Sequence, residues 1–381
     1  MSIEGQSDVL IVGAGPAGCA AGIVLARAGA EVCVIDRATF PRDKTCGDAL
    51  SNETVALLDR LGLGAALARA PHALVRRAAA IFPDGSRVTR DYQPPGWIMR
   101  RLDLDDLLRQ ALEQAGARLV QGVRVVALTR SGAQVTGATG TDLRWSAQVV
   151  IAADGYGSCG LAALDRPQPD GRFLAVSATA YYRDVTFPAG DTTADHFFDA
   201  EVPFGYGWIF PAVHGVSNVG VYLRADAYSG LGENLHSLLA GFLDRHGDRF
   251  ATAEQIGKPR AWSLPLGPRP IPHGAPGLLL AGDAGGFIDP LSGEGIWQAL
   301  HTGVLAGETA LDAVRGDGLG PALLRGYEQR CWRDIGQPSR AKAAVQRGIA
   351  TIVRRKLYRV PGVRGALTWG YRRRAFEMTK A

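Results

Sequence analysis

The apolar positions of the chain fall into short runs that predict buried strands. These runs cover residues 8–12, 31–35, 148–153 and 278–281, and each is followed by a glycine or an aspartate. Apolar runs of this length are typical of parallel strands that are covered on both faces. The first run leads into a glycine-rich turn at 13–18 and then into an alanine-rich stretch that favours a helix, with Gly29 at its end. Residues 8–36 therefore predict a strand–turn–helix–strand unit.

Other stretches show different periodicities. Apolar residues between 102 and 115 recur at helical spacing, and the chain from Leu319 onward is mostly helical in pattern. Between 173 and 223, Thr, Val, Tyr and Phe are frequent and alternate in places, which is typical of antiparallel strands. The pattern predicts an α/β fold in which an antiparallel sheet is inserted into a nucleotide-binding domain and a helical C-terminal region follows.

Composition narrows the class of protein. With 46% hydrophobic and 21% charged residues, the 381-residue chain can bury enough apolar surface to fold, which excludes intrinsic disorder. Since no apolar stretch approaches the length of a membrane span, no spanning helix is predicted. The five cysteines form no C-x-x-C pair, so neither a metal site nor a disulfide framework is predicted. The N-terminus shows no leader pattern, and we expect a reducing, cytoplasmic location.

The net charge of +5 conceals an asymmetry along the chain. Residues 340–381 contain twelve Lys or Arg and one acid, Glu377, whereas the rest of the chain is mildly acidic. Apolar residues at helical spacing, including Val345, Ile349 and Val353, accompany these cations. Such a segment suits an anionic membrane surface, a pyrophosphate head group or an acidic carrier protein. A helix packed on the body with solvated arginines is the alternative, and no nucleic-acid partner is expected because no base-reading module is present.

The glycine-rich turn carries the first chemical signal. It reads G-x-G-x-x-G between a predicted strand and a predicted helix, and Asp36 lies 18 residues after its last glycine. In this setting Gly13 makes the turn, Gly15 lets a pyrophosphate approach the backbone, and Gly18 lets the helix pack on the strand. The Asp36 carboxylate suits ribose hydroxyls and disfavours a 2′-phosphate. FAD or NAD, rather than NADP, is therefore predicted.

Two further motifs decide between these nucleotides. Predicted strands end at Asp154-Gly155 and at Gly282-Asp283, and the second of them continues into the sequence DPLSGEGI at 289–296. In this order, over nearly the whole chain, the motifs resemble the family of FAD-dependent oxidoreductases that includes aromatic hydroxylases, flavin halogenases and geranylgeranyl reductases. The resemblance implies a Rossmann-like domain that binds FAD through the following residues: Gly13, Gly15, Ala17, Gly18, Asp36, Arg37, Arg101, Asp154, Gly282, Asp283, Pro290, Gly293, Gly295 and Ile296.

The resemblance also implies roles for some of these residues. The residue matching Asp283 holds the ribityl chain, and the backbone matching 293–296 faces the pyrimidine edge of the flavin. A helix starting near Gly295 would direct its N–H groups there and stabilise negative charge on reduced flavin. Arg101 is expected to reach the FAD, although Arg100 competes for this role. The family usually has an arginine seven residues after the aspartate of its Asp-Gly motif, where this chain has Leu161. The resemblance therefore implies nothing about how this chain would react with NAD(P)H at the Asp154 motif.

The stretch PFGYGWIFP at 203–211 is the strongest signal for a substrate. It fits P-x-x-Y-x-W-x-F-P at every fixed position and resembles the geranylgeranyl reductase branch, which reduces isolated double bonds of isoprenoid chains. The halogenase pattern W-x-W-x-I-P fails at two of its four positions. Tyr206, Trp208 and Phe210 share one face of a strand and are predicted to form an apolar wall for a lipid or polycyclic substrate. An ordinary packed strand is the alternative.

The loop at 40–48 also resembles the reductases, which carry a Cys-Gly pair near the flavin. Cys46 is accordingly the candidate catalytic residue, as a proton donor or as a gate of the pocket, and Lys44 and Arg42 are expected to lower its pKa. A buried, inert cysteine is the alternative. Many reductases have a glycine where this chain has Asp48, which leaves the shape of the loop open.

The sequence therefore predicts an FAD-dependent reductase that saturates carbon–carbon double bonds of an isoprenoid or related lipid, with NAD(P)H or another electron donor. An FAD-dependent monooxygenase or halogenase acting on a secondary metabolite is the alternative. The predicted division assigns residues 1–72, 97–165 and 262–318 to the FAD-binding domain, 73–96 and 166–261 to a substrate-binding β-sheet domain, and 319–381 to the basic helical region. Peripheral attachment to a membrane through that last region is compatible with a cytoplasmic location.

Overall fold

The structure is a computed structural model that describes residues 3–188 and 193–372. Its strands form two sheets of eight strands each. In chain order the strands are β1 Ile3–Val12, β2 Val32–Ile35, β3 Ala49–Leu50, β4 Ala73–Ile81, β5 Arg87–Ile98, β6 Arg118–Val120, β7 Ala127–Ser131, β8 Gln134–Gly140, β9 Leu143–Ala152, β10 Leu174–Arg183, β11 Ala194–Phe197, β12 Gly205–Pro211, β13 Val216–Arg224, β14 Glu254–Pro265, β15 Gly274–Ala275 and β16 Leu278–Leu280.

Helices pack on both sheets and make up the C-terminal part of the described chain. They are α1 Pro16–Arg27, α2 Asn52–Arg60, α3 Gly64–Arg69, α4 Arg101–Gln114, α5 Cys159–Ala163, α6 Ala225–Tyr228, α7 Leu235–Arg245, α8 Ile296–Arg315, α9 Pro321–Cys331, α10 Gln337–Arg354 and α11 Pro361–Arg372. A π-helical turn, Trp332–Gly336, joins α9 to α10. The mostly helical character expected after Leu319 is confirmed up to residue 372, and residues 373–381 of the basic region lie outside the described residues.

The first sheet has the strand order β15-β16-β9-β1-β2-β6, with the β7–β8 hairpin attached to β9. Its central strands run parallel, as the apolar runs predict: β1 pairs in parallel with β2 and with β9, and β9 pairs in parallel with β16. Strand β1 begins at Ile3, five residues before the apolar run, because residues 3–7 pair in register with 143–147 of β9. Hydrogen bonding to a neighbouring strand thus extends β1 beyond its apolar part.

The second sheet has the order β14-β10-β13-β12-β11-β4-β5-β3. Within the described residues its neighbours are antiparallel except for β4 and β11, which run parallel. The antiparallel sheet predicted from residues 173–223 is confirmed, since β10, β11, β12 and β13 pair antiparallel with one another. The β4–β5 hairpin comes from an earlier part of the chain than β11. Because no hairpin turn connects β4 to β11, these two strands can pair in parallel. Strand β3 joins this sheet directly after the 40–48 loop. The proposed domain boundaries remain a prediction.

Helices α1 and α8 approach each other closely and run parallel. A Cβ atom on Gly303 of α8 would lie 2.2 Å from the carbonyl oxygen of Ala17 in α1, and one on Gly307 would lie 3.0 Å from the carbonyl oxygen of Ala21. The contacts advance by four residues along both helices, so the two helices have the same direction. Both N-termini therefore lie at the same edge of the first sheet, where α1 follows the glycine-rich turn and α8 follows residues 289–295.

This packing makes a prediction about stability. Gly303→Ala should lower the free energy of unfolding by about 1–3 kcal/mol, because the added methyl group forces α8 away from the backbone of α1. Gly348→Ala in α10 is the matched control, since a Cβ atom there meets nothing within 4 Å among the described residues. The control should gain about 0.5–1 kcal/mol from helix propensity. Urea unfolding measures both changes, and an equal gain in both variants would contradict the close packing.

Candidate functional site

One cavity of about 1270 Å³ lies between the carboxyl edge of the first sheet and one face of the second. Its wall includes the glycine-rich turn, the 40–48 loop, strand β12 and the loop before α8. A pocket for one drug-sized ligand has roughly 300–1,000 Å³. The cavity is therefore large enough for a nucleotide cofactor and part of a second molecule beside it.

The glycine-rich turn borders one end of this cavity. Gly13 has a φ of +100°, a conformation that favours glycine, and a Cβ atom on Gly18 would lie 1.8 Å from the carbonyl oxygen of Gly13. At Gly15, by contrast, the nearest described atom to a Cβ would be Nη2 of Arg42 at 3.8 Å. The backbone at Gly15 therefore faces open space, as the approach of a pyrophosphate requires.

The Asp36 carboxylate lies beside this turn and is buried. It accepts hydrogen bonds from the backbone N–H groups of Ala14 and Ala38, both at 2.7 Å. Each carboxylate oxygen still has a lone pair for a ribose hydroxyl, so the fit to a dinucleotide is retained. Arg37 is exposed at the rim of the cavity, while Ala17 lines the cavity from the first turn of α1.

Asp154 and Asp283 follow β9 and β16, respectively, and both line the cavity. Asp154 accepts the backbone N–H of Cys159 at 2.7 Å, and its buried Oδ1 has no partner among the described residues. Such an orphaned acceptor fits a ligand hydroxyl or N–H. Asp283 is half-buried, with its carboxylate 4.0 Å from the Lys44 amine. Leu161, at the position where the family usually has arginine, is a core residue that is 2% exposed.

The loop 289–296 is held by side chains of other elements. The Tyr206 hydroxyl donates to the carbonyl oxygen of Ser292, and the Tyr222 hydroxyl donates to that of Pro290 at 2.9 Å. Gly282 and Gly293 both have positive φ angles, and Gly295 precedes α8, which begins at Ile296 as expected. The N–H groups of the first turn of α8 are therefore fixed at the cavity wall. These residues fit a bound FAD.

Glu294 in the same loop has an altered acidity. Burial raises the pKa of its carboxyl to about 7, although a hydrogen bond from Ser51 opposes this shift. A large share of Glu294 is consequently protonated at neutral pH. The loop beside α8 thus carries less negative charge than its sequence indicates.

Tyr206, Trp208 and Phe210 line the opposite side of the cavity from β12 and are each at most 8% exposed. Their neighbouring ring centroids are 6.1 Å apart, and the His196 ring packs on Tyr206 and Phe210 at 5.3 and 5.0 Å. Burial lowers the pKa of His196 to about 4, so this imidazole is neutral and adds no charge to the wall. We call these four residues the aromatic wall.

The 40–48 loop faces the aromatic wall. A Cβ atom on Gly47 would lie 3.6 Å from the Phe210 ring and 3.8 Å from the Trp208 ring. Cys46 is half-buried beside it and lines the cavity. The structure therefore brings the candidate proton donor and the aromatic residues, which are about 160 positions apart in sequence, to one place.

The expected lowering of the Cys46 pKa was wrong. Burial raises the pKa of the thiol, and this effect outweighs the charges of Arg101 and Lys44, which lower it. The Arg42 guanidinium is occupied elsewhere, because its Nη1 lies 2.7 Å from the buried Asp105 carboxylate. The Cys46 thiol therefore stays protonated at neutral pH, which is the form that can donate a proton.

Of the two candidates Arg100 and Arg101, it is Arg101 that lines the cavity. It is buried and donates two hydrogen bonds of 2.7 Å to Asp105. Arg100 precedes α4, and its guanidinium lies 5.4 Å from the centre of the Tyr181 ring. Arg101 is thus fixed in orientation before any ligand binds.

Asp48, at the position where many reductases have glycine, adopts a backbone conformation that favours glycine. Its φ is +61°, its side chain is fully buried, and its carboxylate accepts hydrogen bonds from the Tyr181 hydroxyl at 2.5 Å and the Asn218 amide at 2.8 Å. Burial raises the pKa of Asp48 to about 6, against the opposing effect of these two donors.

Several residues of the site were missed from the sequence. Asn218 had a weak signal, because it is the one amide in a strand that is mainly apolar, VSNVGVYLR. Tyr181 had none, since its partner Asp48 is 133 positions away. Asp105 follows Arg101 by one helical turn, but its second partner, Arg42, belongs to a distant loop.

The basic C-terminal region closes part of the cavity. Ile349 of α10 and Leu367 and Tyr371 of α11 line it, and the Lys342 amine contacts the Asp289 carboxylate. Gln346 donates to the carbonyl oxygens of Phe204 at 2.9 Å and Pro290 at 2.5 Å. Packing on the body thus accounts for one face of this region.

The outer face of α11 remains exposed. A second cleft of about 560 Å³ there includes Arg359, Arg364, Arg372 and Trp369, and the indole of Trp369 is 58% exposed. Among the described residues, none of the helices is long and apolar enough to cross a bilayer.

Comparison with known proteins gives consistent results. A family model described as FAD binding domain matches residues 6–337. Menaquinone reductase of Mycobacterium tuberculosis is 36% identical over 340 residues, which cover 85% of this chain and 81% of that protein. Digeranylgeranylglycerophospholipid reductase of Methanoculleus marisnigri is 31% identical over 345 residues, covering 87% of this chain and 83% of that protein.

Solved structures share the fold. A geranylgeranyl bacteriochlorophyll reductase-like protein of Thermoplasma acidophilum superposes with a TM-score of 0.81 at 21% identity, covering 93% of this chain and 90% of that one. A flavin-dependent brominase superposes with a TM-score of 0.76 at 21% identity, covering 95% and 92%. At this identity the likeness concerns the fold alone.

The open space at Gly15 leads to a second prediction. Gly15→Val should abolish FAD binding, because the side chain would occupy the space that the pyrophosphate needs. The variant should fold normally, since the φ of Gly15 is −76° and its surroundings are open. Flavin absorbance after purification and the melting temperature of FAD-free protein measure the two effects. Retention of FAD by a folded Gly15→Val protein would refute the assignment.

Proposed function

Because the chain belongs to the FAD binding domain family and is an FAD-dependent oxidoreductase, we propose that it saturates carbon–carbon double bonds of an isoprenoid or related lipid. One observation carries this proposal: a half-buried thiol, kept protonated because burial raises its pKa, lines the same cavity as the glycine-rich turn, the loop before α8 and the aromatic wall. The relatives support it, since one is named a reductase of menaquinone and another a reductase of a digeranylgeranyl glycerophospholipid.

Saturation of a double bond requires one hydride and one proton. Bound FAD, once reduced by NAD(P)H or another donor, supplies the hydride. The turn at 13–18 and Asp36 would hold the dinucleotide, and the N–H groups at the start of α8 would stabilise negative charge on the reduced flavin. The rings of the aromatic wall hold the apolar substrate and exclude water from it.

Cys46 is the proposed source of the proton. Its thiol donates the S–H proton to the second carbon of the former double bond, so that two hydrogens are added in total. The sulfur retains the electron pair as a thiolate, and the Arg101 guanidinium stabilises that charge. Solvent returns a proton to the thiolate before the next turnover.

The reaction type can be tested by product mass. With reduced enzyme and a digeranylgeranyl glycerophospholipid, product mass should rise by about 2 Da for each double bond, from the hydride and proton added. A gain of 16 Da with consumption of O₂ would replace the reductase with the monooxygenase. Cys46→Ser should slow saturation by about 10- to 100-fold, as expected on weakening a general acid. Cys159→Ser, a half-buried cysteine near the dinucleotide end, is the control and should retain activity.

We further propose that the exposed face of α11 attaches the protein to an anionic membrane. Arg359 and Arg372 lie on this face together with the exposed Trp369, a combination typical of interfacial helices. The same region lines the cavity with Ile349 and Leu367. A lipid substrate would then be taken up where the protein meets the membrane.

Vesicle binding tests this attachment. Arg359→Glu with Arg372→Glu should reduce binding to vesicles that contain phosphatidylglycerol, and added salt should do the same, because exposed charges are screened within about 10 Å at 0.1 M. Arg144→Glu with Arg166→Glu makes the same change of charge at exposed positions outside the basic region and should leave binding intact. An equal loss of vesicle binding in both double variants would indicate an effect of net charge alone. Binding to an acidic carrier protein, without binding to vesicles, would favour the carrier protein as the partner.

A further inference from the structure

Asp48 occupies a position that suits another residue. Its φ of +61° lies in the left-handed region, where glycine is free of strain and a side chain is not. Its carboxylate is fully buried, and Oδ1 has no partner among the residues described. A glycine here would remove both costs. Local strain of this kind in a cavity wall points to a function for the side chain.

The Asp48 carboxylate accepts a hydrogen bond from an amide, that of Asn218, whose orientation is fixed by its other partners. Asn218 is fully buried, and its Nδ2 donates to Asp48 and to the carbonyl oxygen of Cys46, both at 2.8 Å. Its Oδ1 accepts the indole N–H of Trp208 at 2.8 Å. Because an indole can only donate and a carboxylate prefers to accept, the orientation of the amide is fixed by its partners.

This amide connects the two sides of the substrate space. Cys46 and Asp48 belong to the loop after the first strands, whereas Trp208 belongs to β12. Asn218 lies on β13, which pairs with β12, and places its single amide group between them. The distance between the Cys46 loop and the indole is therefore set by two hydrogen bonds to one rigid group.

Tyr181 holds the carboxylate from a third side. Its hydroxyl donates to the same Oδ2 of Asp48 at 2.5 Å, and β10 places it next to β13. Of the charged groups around this cluster, Arg101 and Asp43 also act on Asp48. With two donors on Oδ2, the carboxylate is held in the one orientation that supports Asn218.

We infer that Asn218 and Asp48 are positioning residues, which hold Cys46 at a fixed separation from Trp208 so that thiol and aromatic wall meet the same double bond. The catalytic part of this inference, delivery of a proton by Cys46, rests on the proposed function. The positioning of Cys46 by hydrogen bonds does not. Neither residue needs to touch the substrate. Their loss should affect proton delivery more than substrate binding, and should leave flavin reduction unchanged.

Four variants separate this role from a general effect on folding. Asp48→Gly suits the backbone but removes the carboxylate, and Asp48→Asn keeps an acceptor of the same shape. Asn218→Ala removes the central amide. Ser217→Ala changes the preceding buried residue of β13, which lies outside the cavity wall, and serves as the matched control.

The first measurement is the rate at which iodoacetamide alkylates Cys46 in the FAD-loaded protein, followed by peptide mass spectrometry with Cys159 as internal reference. We expect Asn218→Ala and Asp48→Gly to change this rate about tenfold or more, as a loosened loop alters exposure of the thiol. Asp48→Asn and Ser217→Ala should remain near the rate of the unaltered protein. This readout does not depend on the identity of the substrate.

The second measurement is saturation of a digeranylgeranyl glycerophospholipid with dithionite as reductant. Asn218→Ala and Asp48→Gly should lower kcat by about 10- to 100-fold with little change in KM, because small misplacement of a reacting group is costly. Flavin reduction and FAD content should be unaffected, and Asp48→Asn should restore most of the activity.

The outcomes are distinguishable. If alkylation of Cys46 and kcat are both unchanged in Asn218→Ala and Asp48→Gly, the positioning role is overturned. Failure of Asp48→Asn to rescue either readout would overturn the role of the acceptor. If alkylation changes as expected while the unaltered protein saturates no lipid, the proposed function fails and the positioning of Cys46 stands.

Discussion

The Asp105 carboxylate, buried between two guanidinium groups, is the charge on which the arrangement of the site depends. Burial alone would raise its pKa, but Arg101 and Arg42 hold the pKa below its usual value. Arg101 begins α4, whereas Arg42 belongs to the loop that carries Cys46. A carboxylate with no exposure keeps its charge only with such partners, and their removal would leave a buried carboxylate unpaired. The pairing therefore ties the Cys46 loop to the nucleotide-binding body.

The C-terminal end of the 40–48 loop is connected to the second sheet by hydrogen bonds, some of which involve a carboxylate. Asn218 and Tyr181 hold Asp48, while the hydroxyls of Tyr206 and Tyr222 hold the loop before α8. In each case the polar atoms of the side chain form hydrogen bonds with other parts of the protein. The rings that remain on the cavity side present apolar surface, so recognition of the substrate depends on shape and hydrophobic contact more than on hydrogen bonds.

Features that depend on neighbouring residues could be predicted from the sequence. The parallel strands, the turn around Gly13, the start of α8 after Gly295 and the common face of Tyr206, Trp208 and Phe210 all follow from local spacing. The acidity of Cys46 could not be predicted in this way. Its neighbours in sequence are basic, but Arg42 is paired with Asp105 and burial determines the direction of the shift.

Contacts between distant segments explain the remaining differences. Asp48 and Asn218 are 170 positions apart, and the parallel pairing of β4 with β11 joins segments from either side of the nucleotide domain. An aspartate in place of a glycine looked like a departure in the loop, yet the backbone keeps the conformation that glycine favours. The aspartate can be explained only from the folded structure, where its carboxylate accepts a hydrogen bond from Asn218.

The C-terminal helices connect the inside of the cavity to the outer surface. Ile349 and Leu367 form part of the cavity wall, and on the same helices Arg354 and Arg364 face solvent. Lys342 and Gln346 hold α10 against the loop before α8, which is the loop proposed to contact the flavin. A displacement of these helices would therefore alter the opening of the substrate space and the support of the flavin loop together. Because the same helices line the cavity and carry exposed cations, the proposed attachment to a membrane would be coupled to the opening of the cavity.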